Sequence, residues 1–218
     1  MVLILLTLVA VFLAWQADVA SRRSAALQVL REVDAVFPLL PNSIGPQWLG
    51  KFLGDEYVRR IEDVGAQYSL MADEHLAVLG RVPELETVRT NLCRAGTSIA
   101  HLRIADGIGA TGENALISDV GIESISHAKK LEVLVLFNTV ATDEGIFHLG
   151  KLKELKMLLV ASPNITDESV QHFSKLQSLE RLWVPAQVSA EGVEQLRRAL
   201  PNCEVITRES EDRQAWGR

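Results

Sequence analysis

From position 117 onward the apolar residues change their spacing twice in every two dozen positions. After Ile117, Ala141, Ile165 and Val188, starts that differ by 24, 24 and 23, they recur at helical intervals: Ile122, Ile125 and Ala128; Ile146, Leu149 and Leu152; Val170, Phe173 and Leu176; Val193, Leu196 and Leu200. The spacing then tightens to L-x-x-L-x-L at Leu131, Leu134 and Leu136; Leu155, Leu158 and Val160; Leu179, Leu182 and Val184. A period that switches from helix to strand at fixed intervals predicts an internal repeat in which each unit supplies one helix and one strand. Upstream, Leu85-x-x-Val88 and Ile61-x-x-Val64 keep the same spacing, with Met71, Leu76, Leu79 and Val82 in the helical part. Downstream, Cys203-x-x-Ile206 lies 24 positions after Leu179, which puts Cys203 at a leucine position. Residues 92–116 break the rhythm: Ile99, His101, Leu102 and Ile104 resemble a strand but come only 14 positions after Leu85, so one unit is degenerate or looped out.

The amino-terminal pattern is different. Met1 to Trp15 reads MVLILLTLVAVFLAW without a charge, and Asp18, Arg22 and Arg23 follow. Fifteen helical residues reach about 22 Å at ~1.5 Å each, against roughly 30 Å of bilayer hydrocarbon. A cleaved signal peptide, a signal anchor and a buried core helix compete for this segment. Cleavage after Ala17 or Ala20 places Trp15 or Asp18 at the −3 position, which disfavours a signal peptide. The absence of an amphipathic stripe disfavours a core helix, and an uncleaved transmembrane anchor is the expectation. Arg22 and Arg23 then put the remainder in the cytoplasm by the positive-inside rule, or outside it if basic residues precede the sequence as given.

The expected organisation is residues 1–20 as a single-pass transmembrane signal anchor, 21–45 as a juxtamembrane helix and proline-containing linker, 46–60 as an N-terminal capping helix, 61–206 as the repeat domain, and 207–218 as a polar tail. The stripe Leu27, Leu30, Val33 and Phe37 supports the juxtamembrane helix, and Pro38, Pro41 and Pro46 interrupt it. Trp48, Leu49, Phe52, Leu53 and Tyr57 fall at helical spacings suited to covering the open end of a repeat array.

The pattern L-x-x-L-x-L-x-x-T-x-[ITV]-[TS]-D-x-G-[ILV]-x-x-L-x-x-L, carried best by Thr139 to Gly145, closely resembles leucine-rich-repeat proteins. The resemblance is to the T-D-x-G-L subtype of bacterial membrane-anchored repeat proteins and of the repeat region of F-box substrate adaptors, and it covers about Ile61 to Ile206. Trp48 to Asp55 and Leu200 to Cys203 look similar to segments of the bacterial group, whose anchors usually begin with basic residues that are missing here. The resemblance implies an α/β leucine-rich-repeat solenoid, with parallel strands on a concave face and helices on a convex face, acting as a binding scaffold.

Composition narrows the function classes. A net charge of −6 with 22 Lys and Arg scattered among 28 acids supplies no basic face for nucleic acid. Cys93 and Cys203 form no disulfide framework and match no zinc spacing, and order along the strands places them on the order of 20 Å apart. Asp73, Asp119, Asp143 and Asp167 recur with the pattern, so a catalytic or calcium-binding reading of them is unnecessary; the Thr or Ser of the T-D-x-G step can cap the helix that follows, with the Asp favourable in its first turn. His148 and His172 share a position and are read as surface histidines on adjacent helices rather than as metal ligands. Gly107 to Gly112 lacks the Lys-Ser/Thr of a phosphate loop, and the sequon Asn164-Ile165-Thr166 is already demanded by the pattern. No catalytic residue, metal ligand, cofactor or small-molecule substrate is expected.

The x positions of L-x-x-L-x-L point away from the leucine core. Val135, Leu159 and Trp183 form one column, with Val133, Met157 and Arg181 beside it and Phe137 at its edge. A contiguous apolar column with Trp and Arg suits a protein partner. It is read as an exposed binding face unless residues 105–116 or the tail around Trp216 cover it. The expected function is a membrane-anchored scaffold for protein–protein interaction; a self-associating component of a membrane or envelope assembly is the alternative, and a non-catalytic subunit of an enzyme complex the third reading.

Overall fold

The structure, a computed structural model, describes residues 2–32, 35–36, 61, 63–66, 71–90, 117–137 and 139–207. The elements in chain order are α1 (Val2–Glu32), β1 (Ala35–Val36), β2 (Asp63–Ala66), α2 (Asp73–Leu79), β3 (Thr87–Thr90), α3 (Asp119–Ile125), β4 (Val133–Leu136), α4 (Asp143–Leu149) and β5 (Met157–Val160). A 3-10 turn (Asp167–Ser169) then runs into α5 (Val170–Phe173), followed by β6 (Arg181–Trp183), α6 (Ala190–Ala199) and β7 (Glu204–Ile206). The strands make one sheet in sequence order, β1 to β7. β1 is antiparallel to β2, and every later pair is parallel. The helices between them pack side by side on one face, each on its successor.

Alternation within the strands sorts the side chains. Val88, Leu134, Leu158, Leu182 and Val205 lie in register across β3 to β7 and face the helices. There they join Leu76, Ile122, Ile146 and Phe173 in one continuous core. Helices of seven residues or fewer are marginal alone in water, so this buried face, together with good caps, holds them in place.

The caps explain the T-D-x-G step. Ser118, Thr142 and Thr166 each accept a hydrogen bond from the backbone N–H two residues on, at 3.2, 3.3 and 3.3 Å. Ser189 accepts from Gly192 N–H at 3.1 Å. The aspartates at the first helical position, Asp73, Asp119, Asp143 and Asp167, reach across to the next segment. Asp73 accepts from the N–H and the hydroxyl of Ser118 at 2.7 and 2.5 Å. Asp119 does the same with Thr142, both at 2.7 Å, and Asp143 with Thr166, both at 2.8 Å. Asp167 takes the Ser189 N–H at 2.7 Å. A ladder of carboxylates thus ties each helix start to the one before it, with charge-assisted bonds that are stronger than neutral ones.

Glycine in the motif makes room for this ladder. A Cβ on Gly145 would stand 2.4 Å from Asp119 Oδ1, and one on Gly121 would stand 2.3 Å from Asp73 Oδ1. Ser169 occupies the corresponding place in the next segment. There the first turn is 3-10, the Ser169 hydroxyl donates to Thr166 O at 2.7 Å, and the α-helix that follows has only four residues.

Two differences from the sequence pattern are local. β3 pairs directly with β4, Val88 against Leu134, although 46 positions separate them. Asp73 likewise bonds Ser118 across 45 positions where its counterparts span 22 or 23. No other strand therefore stands between β3 and β4; Ile99, His101, Leu102, Ile104, Cys93 and the glycine run at Gly107 lie outside the described residues. The last strand is shifted by one position. Leu182 pairs with Val205 and Trp183 with Ile206, so Ile206 is not the inward residue, and Cys203 packs half-buried at the margin of the core. The 23-residue step at Val188, one shorter than those before it, accounts for the slip. The expected capping helix at 46–60, the linker at 38–45 and the tail at 208–218 also lie outside the described residues.

Larger corrections concern the amino terminus and the architecture. Among the described residues no helix is long and apolar enough to cross a membrane, against the expected single-pass transmembrane signal anchor and membrane location. α1 runs without interruption through Asp18, Arg22 and Arg23, and its second half is part of the fold. Val19, Ala20, Arg23 and Ala26 are buried, and the helix packs on α2. The guanidinium of Arg23 forms a mostly buried ion pair with Glu84, on the segment after α2, while Asp18 and Arg22 pair along the helix at 2.7 Å. Residues committed to such contacts cannot extend an apolar span. The expected leucine-rich-repeat solenoid is also not established. The described residues show an α/β sheet with helices packed on one face and a second buried apolar cluster on the other, and this does not amount to a solenoid.

Candidate binding face

The face of the sheet turned away from the helices carries its own apolar cluster. Register places Arg89, Val135, Leu159, Trp183 and Ile206 in one row across β3 to β7. Val133, Met157, Arg181 and Glu204 form the row before it. Val135, Leu159 and Trp183 form the centre of this cluster, and Val133, Phe137, Met157, Ala161 and Ile206 pack around them half-buried. The residues singled out from the sequence are therefore brought together on one face.

Their environment differs from the expected one. Val135 is 4% exposed, Leu159 3% and Trp183 7%, so the column is closed over rather than open to water. Substituting these residues then removes buried apolar area, at roughly 25 cal/mol per Å2, and affects stability as well as contact. Arg181 stands apart: it is exposed and its Nε lies 3.2 Å from a Glu204 carboxylate oxygen.

The rim where the strands begin is charged. Lys156 lies 2.8 Å from Glu132, and its ammonium is held above its ordinary pKa, first by the hydrogen bond to Glu132 and then by the fields of Glu132, Glu180 and Glu154. Beneath these side chains the backbone is continuous: Glu132 N–H donates to Glu86 O, Lys156 to Glu132 O, Glu180 to Lys156 O and Glu204 to Glu180 O, at 2.7 to 2.8 Å. The opposite rim is neutral. Thr139 Oγ1 donates to Ala161 O at 3.1 Å and Ser162 Oγ to Ala141 O at 2.5 Å, while the Asn164 amide reaches Val140 O at 3.1 Å. The column thus runs between a charged edge and a closed, internally bonded one.

Other chemistry-bearing residues serve the fold or stand alone. The four aspartates are occupied as cap bridges. His148 and His172 do not stack on each other: each meets the exposed ring of Phe147 edge-on, with centroids 5.5 Å away. Among the described residues no group of three or more His, Cys, Asp and Glu could hold a metal ion. Burial, with Glu204 adding to it, pushes the Cys203 thiol up to about 11. Sequence reasoning missed the bridging role of the aspartates, because a carboxylate in a first helical turn is already explained by the helix dipole. The signal was the glycine two residues on, which only a close neighbour requires.

No family model matches the chain, and no curated protein matches it.

Proposed function

We propose that the chain is a protein-binding scaffold that acts through the sheet face opposite its helices, and that it is not an enzyme. The row Val135, Leu159 and Trp183 carries the reading. One apolar face suffices to build the helix-backed core, so a second one, kept in register over three strands and fitted with a tryptophan, is a surface suited to gripping another polypeptide segment. The resemblance of the L-x-x-L-x-L pattern to leucine-rich-repeat proteins supports it, since such repeats generally serve binding. Because the row is closed over in the isolated chain, a partner engages it in competition with what already lies there, and the exposed Arg181 at its edge is the first point of contact.

A photo-crosslinking residue in place of Arg181 tests this. The expected result is one discrete adduct in an extract of the source cells, lost when Trp183→Ala is added and the protein is compared at equal folded fraction. Adducts that persist unchanged in the Trp183→Ala background contradict the proposal.

A further inference from the structure

The ladder of aspartates has a first rung made differently from the rest. In the later segments the N–H of the capping residue donates to the aspartate one segment back, as Ser118 does to Asp73 and Thr142 to Asp119, both at 2.7 Å. Ahead of α2 the corresponding residue is Ala72, whose side chain makes no cap, and the helix packed on that side is α1. The Ala72 N–H donates instead to Nδ1 of His75, 2.8 Å away. His75 stands at the position of Gly121, Gly145 and Gly192, where a Cβ would meet the carboxylate of the segment before at 2.3 to 2.7 Å. Among the described residues no such carboxylate lies ahead of α2, so a large ring fits there, and it is 9% exposed.

Hydrogen-bond chemistry fixes the form of this ring. A backbone N–H can only donate, so Nδ1 is bare and the proton of the neutral imidazole sits on Nε2. A second proton would turn donor against donor and leave the Ala72 N–H without its acceptor. We propose that His75 is a pH-sensitive latch: protonation of its imidazole breaks the first rung and loosens the seat of α1 on α2, while the aspartate rungs hold. The inference is independent of the sheet-face reading. α2 has only seven residues, so the loss of its cap is felt along its whole length and by the helix docked on it.

The charged groups around α2 come from its two packing neighbours, α1 and α3, and from the segment that follows it. On α1, Arg23 is paired with Glu84, and Arg22 with Asp18. On α3, Asp119 is bound to Thr142, and Glu123 lies 3.9 Å from His148 and 4.0 Å from Lys151. On α2 itself Asp73 is held by Ser118, while Glu74, like Arg81 just beyond, is exposed. These carboxylates are engaged elsewhere or solvated, and none is committed to holding an imidazolium at His75. Carboxylates ordinarily titrate near pH 4 and an imidazole near 6.5, so between about pH 7 and 5 the imidazole rung is the one that changes. It is closed at the upper end of this range and lost as pH falls.

Hydrogen exchange of the full chain, read by mass spectrometry and corrected for the intrinsic effect of pH, tests the proposal. From about pH 7 to 5, protection of residues 72–79 and 19–26 is expected to fall about tenfold, and that of α4 less than about twofold. His75→Gln, whose amide oxygen can accept from the same N–H in the manner of a capping box and does not titrate, keeps its protection across the range. The ring-nitrogen NMR signals of the unsubstituted chain supply a measurement that needs no variant: at pH 7 they place the His75 proton on Nε2, and the ring titrates over the range in which protection is lost. Four results overturn the latch: no fall in the unsubstituted chain, an equal fall in α4, a fall that persists in His75→Gln, or a proton on Nδ1 at pH 7.

Discussion

The two faces of the sheet are built from neighbouring positions of the same strands, yet they differ in how their burial is organised. The helix side is a chain of equivalent contacts: Leu134, Leu158 and Leu182 each meet a helix whose start is capped, bridged by an aspartate and cleared by a glycine or tightened by Ser169. Every segment there depends on the next. The opposite side is a smaller cluster centred on three residues of unlike shape, Val135, Leu159 and Trp183, and among the described residues none of the helix-cap bonds reaches it. Burial alone therefore does not make two surfaces equivalent. One face holds the segments to one another, and the other can change its contacts without undoing them.

Leu158 and Leu159 put this difference on one strand with one residue type. Leu158→Ala is expected to cost about 4 kcal/mol, in the upper part of the range for deeply packed leucines, and Leu159→Ala about 2 kcal/mol, at its lower end. Urea denaturation of both variants measures the gap; equal losses would erase the distinction between the faces.

Next in size is the cap ladder. Asp119→Ala leaves the Thr142 N–H and hydroxyl without their acceptor, and a loss of about 2 kcal/mol is expected, with Asp119→Asn retaining part of it. Gly145→Ala thrusts a Cβ against the same carboxylate and should cost about 1 to 2 kcal/mol. In a double-mutant cycle, Gly145→Ala should cost less in the Asp119→Ala background, because the clash has gone. Strictly additive losses would mean that the glycine serves some other contact.

Much of the fold was legible because it rests on local signals. Ser118, Thr142, Thr166 and Ser189 announce helix starts by residue type, and strand periodicity separates Leu158 from Leu159 without any structure. What could not be read depends on neighbours distant in sequence. The aspartate bridges need two segments side by side. The direct pairing of Val88 with Leu134 brings together positions 46 apart, about twice the usual step of the pattern. Burial of the Val135, Leu159 and Trp183 row is a property of what covers it, which no residue in the row encodes. The amino terminus misled for a related reason: apolar residues in a row look alike whether lipid or protein surrounds them, and the docking of Val19, Arg23 and Ala26 depends on α2 and Glu84, more than 45 positions away.

The smallest expected effect is at the margin of the core. Since folding raises the Cys203 pKa from 9.0 to about 11, the fold disfavours the thiolate. Its contribution to stability is intact below about pH 9, where the thiol is protonated in both states, and is lost as pH rises through the folded value. Iodoacetamide should modify Cys203 in the native protein at least about tenfold more slowly than a free cysteine at pH 8.5, and at the free rate in urea. Equal native and unfolded rates would remove Cys203 from the core margin.

Partner capture at matched folded fraction tests the functional account most directly. Leu158→Ala and Leu159→Ala are compared at temperatures where each is equally folded, with the amount of crosslinked partner as the readout. The account predicts capture near the unsubstituted level for Leu158→Ala and a loss of at least tenfold for Leu159→Ala. Equal capture by the two variants would contradict it, because the sheet face would then contribute to binding only by keeping the chain folded.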